Sequence, residues 1–115
     1  MVTAAYIPSR GDVVWLNFTP QQGHEQAGTR PALVLSPRSY NDRSSLMLVC
    51  PITSKVKGFE TEVRIAVGKI NGVILADQIK SVDWRERQAQ YIQKASAHDL
   101  DRTQLIIDLL LGKKA

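Results

Sequence analysis

Residues 23–35 read GHEQAGTRPALVL, a polar loop carrying an imidazole, a carboxylate and a guanidinium, fastened directly to an apolar strand. Pro31 disfavours the helical region for the residue before it, so Arg30 is held extended and its guanidinium leaves the chain in a defined direction. Gly23 and Gly28 bracket the loop, letting its ends take positive φ while its middle stays adaptable. A cation at the hinge of such a loop suits closure over something negatively charged. Pro31 to Ser36, PALVLS, then runs on as an apolar strand.

Strands also lie on either side of this stretch. Upstream, Gly11 to Phe18 (GDVVWLNF) is rich in β-branched and aromatic residues and predicts a first strand, with Thr19 to Thr29 as the loop. Downstream, Pro37 and the polar run through Ser45 permit a turn or a single helical turn around Tyr40. Leu46 to Ile52 is the third strand, and Thr53 and Ser54 follow its last apolar residue. Lys55 to Gly58 forms a basic turn, and Glu60 to Val67 alternates like a half-exposed strand. Asn71-Gly72 predicts a tight hairpin, because that turn needs positive φ at both central residues. The fifth strand is then Gly72 to Val82, with Asp77 inside it on the face of Leu75 and Ile79. QAQYIQKA, residues 88–95, is a further strand, preceded by Arg85 and Arg87.

A helix closes the chain. Ser96 followed by Asp99 approximates a capping box, and Leu100, Thr103, Ile106, Ile107, Leu110 and Leu111 recur on one face. Such a face docks on the sheet or on a second subunit. Gly112 terminates the helix, and Lys113 and Lys114 suit the negative end of its dipole. Five or six short strands and one terminal helix give a small β-barrel or a strongly bent sheet.

With 115 residues, 43% apolar and 23% charged, the chain suits one ordered domain spanning residues 1–115. A net charge of +4 favours acidic partners such as nucleic acid. The single cysteine, Cys50, lies in the apolar run LMLVCPI, so an internal disulfide is impossible and a buried, inert thiol is expected, as suits a reducing cytoplasm. No secretory leader pattern opens the chain and no apolar run is long enough to span a bilayer, which predicts a cytoplasmic protein away from membranes.

His24, His98 and Cys50 have no metal-ligand spacing, so no zinc site is expected from them. Phosphate-binding glycine loops and serine-hydrolase signatures are absent too. What remains is Arg30 at the start of the second strand, Thr53 and Ser54 at the end of the third, and His24 and Glu25 in the loop. In adjacent antiparallel strands the start of one lies beside the end of the next, which makes Arg30 and Thr53 neighbours. A guanidinium fork and a hydroxyl together suit a phosphate oxygen. Thr53 by itself reads more readily as a turn-former.

Taken together, GDVVW (residues 11–15), GHEQAGTRPALVLS (23–36), PITS (51–54) and GVILADQIKSVDWR (72–85) resemble the MazF/PemK toxins of bacterial toxin–antitoxin systems. The likeness covers most of the chain. It implies a mainly β fold with α: a small SH3-like barrel of the PemK/CcdB type with a C-terminal helix. It also implies a homodimer, a MazE-like antitoxin partner with an acidic flexible tail, and metal-independent, cofactor-free cleavage of single-stranded RNA (mRNA) at short sequences. In that chemistry the RNA's own 2′-hydroxyl is the nucleophile.

On this resemblance the catalytic pair falls on Arg30 and Thr53. Glu25 is then either a base or a carboxylate anchoring the loop, and His24 a proton carrier or an RNA contact. One branch of the family carries an Arg-x-Asp pair at the strand matching residues 75–77. Leu75 stands where that arginine would be, leaving Asp77 structural or substrate-contacting. Gln26, Ser54, Lys55, Lys57, Asp77, Gln78, Lys80, Arg85 and Arg87 are the expected RNA contacts. Trp15 is expected in the core, and Trp84 in the core or an interface. Two rivals remain, a CcdB-like gyrase-inhibiting toxin and a non-catalytic RNA-binding module. Against the first, the chain ends LGKKA where that activity is associated with Trp-Gly-Ile.

Overall fold

The computed structural model describes residues 5–18 and 28–114. Its strands are β1 (Asp12–Asn17), β2 (Thr29–Val34), β3 (Leu46–Thr53), β4 (Glu62–Val67), β5 (Ile70–Leu75), β6 (Lys80–Asp83) and β7 (Gln90–Lys94), with helices α1 (Arg38–Ser44) and α2 (Ala97–Leu110). All pairings are antiparallel, in the order β4-β5-β3-β2-β1-β7, with β6 also on β3. β3 is the pivot. One of its edges pairs with β2, while the other takes β6 along Leu46 to Val49 and then β5 at Ile52 and Thr53. A strand shared this way forces the sheet to bend round on itself.

Both faces of the central strands are apolar, so the sheet carries two cores. Val13, Leu33, Cys50 and Ile52 pack with β4, β5 and Ile107 of α2, while Val14, Leu16, Ala32, Val34, Met47 and Val49 pack with Trp84. The period-two alternation of a strand sends neighbouring residues to opposite cores. Trp15 is half-buried against the first core, and Trp84 is in the second, its indole N–H donating to the Asn41 carbonyl at 2.8 Å.

Asn41 anchors α1, which is two turns rather than the single turn the polar run suggested. Its fully buried amide donates to the Pro8 and Ser36 carbonyls and accepts from the Ser36 hydroxyl, which in turn accepts the Leu48 N–H. A buried amide satisfied on all sides carries its desolvation cost and fixes the segment.

α2 begins as expected, with the Ser96 hydroxyl accepting the Asp99 N–H at 3.1 Å. It ends in a paired motif: Gly112, at φ +87°, donates to Leu109 and Lys113 donates to Asp108. Its apolar face is only partly covered. Thr103 and Ile107 are buried, whereas Leu110 and Leu111 stay exposed.

Two strand predictions are corrected. Asn71-Gly72 does not turn the chain, because the β4–β5 register closes at Val67↔Ile70 around Gly68-Lys69. Gly72 is instead required where β5 crosses β3, since a Cβ there would lie 2.2 Å from the Thr53 carbonyl oxygen. The predicted fifth strand is broken into β5 and β6 by a corner at residues 76–79. Asp77 therefore sits exposed on that corner and not on a strand face with Leu75 and Ile79. Between the pairs Ile74↔Ile52 and Lys80↔Val49, residues 75–79 stand opposite only residues 50–51, so the surplus chain must leave the ladder as a corner.

Candidate functional site

The β2–β3 ladder runs from Val34↔Val49 to Ala32↔Pro51. Pro31 and Pro51 bring no N–H, so the ladder loses donors where it ends. Past its end, Arg30 stays paired with Leu16 of β1, which runs along the other edge of β2, and Thr53 pairs with Val73 of β5. β2 starts two residues before the predicted Pro31, so Arg30 belongs to the strand itself. Continuing the register by two residues sets Arg30 against Thr53, and alternation puts both on the face of Ala32 and Val49. Both residues line a cleft of about 280 Å³ to which β1, β2, β3, β5 and β6 all contribute.

Leu16, Ala32, Val49 and Ile52 supply its apolar surface, and Arg30, Thr53, Gln78 and Lys80 its polar groups. Among the described residues its lining holds two cations and no carboxylate. Such a site concentrates anions, and its low-dielectric walls strengthen the field. Thr53 Oγ1 accepts the Lys55 N–H at 3.1 Å, which fixes the hydroxyl oxygen and leaves its proton to be donated.

Of the remaining predicted contacts, some adjoin this cleft and others face away from it. Ser54, Lys55 and Lys57 lie in the exposed segment directly after Thr53. Arg87 stands over the ring of Phe18, itself a lining residue, at 5.0 Å, and the Arg87 carbonyl accepts the Asn17 N–H. Arg85 stacks on Trp84 at 4.2 Å and reaches Asp42 at 3.5 Å, so it faces α1. Asp83 caps the turn carrying both arginines; the Glu86 N–H, with help from Ser45 and Arg85, holds its carboxyl below the ordinary value. Asp77 faces a smaller hollow with Ile79, Ile107, Leu110 and Leu111. Its carboxylate, second to burial, helps push the Cys50 thiol up to about 12, in keeping with an inert cysteine. His24, Glu25 and Gln26 lie outside the described residues.

Phe18, Pro51 and Gly72 shape the site without having been singled out for it. Phe18 could have been found from its place at the exit of the first strand. Gly72 could not, because only the crossing of β5 over β3 gives it a role.

A bent, two-cored β-sheet holding an arginine and a threonine over a cationic cleft defines a small β-barrel protein with an open polar site. The profile of the PemK-like, MazF-like toxins of type II toxin–antitoxin systems matches residues 9–111, and the chain belongs to that family. It is 40% identical over 111 residues to the endoribonuclease toxin MazF of Escherichia coli K12, covering 96% of this chain and 100% of that protein. The crystal structure of MazF from Deinococcus radiodurans superposes with a TM-score of 0.83 at 49% identity, covering 94% of this chain and 99% of that one. A MazE–MazF structure from the same organism gives 0.87 at 48%, covering 96% and 100%. The β-barrel with a C-terminal helix expected from the resemblance is the fold of these relatives.

Proposed function

We propose that this endoribonuclease toxin cuts single-stranded messenger RNA at short sequences by attack of the substrate's own 2′-hydroxyl, arresting translation and growth. The 2′-oxygen bonds to phosphorus and the bond from phosphorus to the 5′-oxygen breaks. The 2′-proton passes to a base and the leaving oxygen takes up a proton, giving a 2′,3′-cyclic phosphate and a 5′-hydroxyl. The step consumes no water and needs no metal or protein nucleophile. Its demand is for donors aimed at the developing phosphorane charge.

The observation carrying this reading is the convergence of Arg30 and Thr53 on one cleft whose described lining is cationic. A guanidinium stays protonated at neutral pH, so Arg30 stabilises the transition-state charge while Thr53 orients the phosphate or the 2′-hydroxyl. Glu25 and His24, which precede β2 in the sequence, are the candidates for the proton transfers. The working protein is a cytoplasmic homodimer restrained by a MazE-like antitoxin; the MazE–MazF assemblies of relatives support that partner.

Mixed-sequence RNA incubated in excess chelator, followed by end-group analysis, tests the proposal. Cyclic phosphate and 5′-hydroxyl ends are expected. Arg30→Ala should remain folded and cleave at least about a hundredfold more slowly, the usual cost of a lost charge-stabilising donor. Intact RNA with the wild-type chain, or full activity in the variant, would overturn it.

A further inference from the structure

Glu62 opens β4, yet its carboxylate faces back along the chain. It accepts the Lys57 N–H at 3.3 and 3.2 Å and the Gly58 N–H at 2.9 Å, and its own N–H donates to the Phe59 carbonyl. At the other end of the same segment, Thr53 Oγ1 holds the Lys55 N–H. Residues 55–59, Lys-Val-Lys-Gly-Phe, are thus pinned at both ends, and Gly58 makes the bend at φ +83°. Glu62 pairs with Leu75, which lines the cleft, so the latch is mounted on the wall of the site.

The charge of Glu62 is spent on backbone N–H groups. Among the described residues neither Lys55 nor Lys57 forms an ion pair, and both stay exposed. The Phe59 ring is 62% exposed, an unusual place for a large apolar side chain in a segment with no core to cover. Cations interleaved with an exposed ring form the pattern that holds single strands, the cations on phosphates and the ring on an unpaired base.

We propose that Glu62 is a positioning residue for substrate binding: it latches residues 55–59 into an arm that holds Lys55 and Lys57 to RNA phosphates and stacks Phe59 on a base flanking the cut. The inference rests on the nuclease reading above. Glu62 touches no reacting atom, so its loss should weaken binding and leave the chemical step intact. Glu62→Gln separates geometry from charge, because one amide oxygen can accept both N–H groups that Oε1 accepts.

The test uses an oligoribonucleotide spanning a mapped cut site, and its counterpart with a 2′-deoxy sugar at the cut, which binds without reacting. Glu62→Ala should raise KM about tenfold with kcat within about twofold, while Glu62→Gln stays near wild type. Phe59→Ala, at an exposed position that folding does not need, should weaken binding of the deoxy oligonucleotide about fivefold or more, the low end of a lost base stack. An unchanged KM in Glu62→Ala, a loss confined to kcat, or unchanged affinity in Phe59→Ala overturns the proposal. So does unchanged affinity together with dissociation of a dimer in Phe59→Ala, which would make the arm a subunit contact. If Glu62→Ala fails to fold, the Phe59→Ala result decides. A wild-type chain that neither binds nor cuts RNA fails at the nuclease reading itself; an active wild type with indifferent variants fails only at the latch.

Discussion

At Gly72 the chain needs the absence of a methyl group. A Cβ there would stand 2.2 Å from the Thr53 carbonyl oxygen and 2.9 Å from its carbon, both backbone atoms that cannot swing aside. Gly72→Ala must therefore push β5 off β3 or displace Thr53. Misplacing a reacting group by about 1 Å can cost about a hundredfold in rate. We expect RNA cleavage in Gly72→Ala to fall at least tenfold, together with a lower melting temperature; wild-type values of both would show that the crossing is slack. The same glycine shows where sequence reading stops. Arg30 and Thr53 could be brought together from sequence, since each lies at the adjoining end of neighbouring antiparallel strands. Asn71-Gly72 carries real turn chemistry, but Gly68 made the hairpin and a non-local contact claimed Gly72.

Among the elements, the N-terminal segment before β1 is fastened by a buried carboxylate. Asp12 accepts from the Tyr6 hydroxyl at 2.6 Å and the Ser9 N–H at 3.0 Å, and pairs with Lys94 of β7 at 2.6 Å. Burial first, then the hydrogen bond and the negative charge of Asp12, push the Tyr6 hydroxyl above its ordinary value of 10.0. The sign follows from proton binding. As pH rises through about 10 the unfolded chain releases the tyrosine proton while the folded chain keeps it, so folding stability falls with pH in that range. Urea unfolding of Tyr6→Phe should show lower stability than wild type at neutral pH and a flatter decline above pH 10; parallel curves would remove Tyr6 from the alkaline transition. Strand existence was legible at this scale because β-branched runs and alternation are local. The corner at residues 76–79 was not, since GVILADQIKSV reads as one strand until the register on β3 shows more residues between its paired stretches than β3 has opposite them.

For the molecule as a whole, charge placement decides more than the net +4. Arg30 and Lys80 line the cleft, with Lys55 and Lys57 on the adjoining arm. If three or four of these meet phosphates, each displaces about 0.7 of a counterion from a single strand. Binding of the deoxy oligonucleotide should then weaken with a log–log salt slope of about −2 to −3, measurable by fluorescence anisotropy. A flat response would remove phosphate contact from the binding energy.

The pivot strand β3 also governs when the cleft can be assembled. Its partners lie before and after it in the chain, and the cleft draws residues from Leu16 to Val82. Topologies dominated by such distant pairings fold slowly, because loop closure must precede the contacts that reward it. A chain still emerging from the ribosome, with β5 and β6 yet to be made, has Arg30 and the unpaired edge of β3 but no second wall beside them. The full cleft lining therefore exists only after β6, which brings Lys80 and Val82 to it, has been made and has closed on β3.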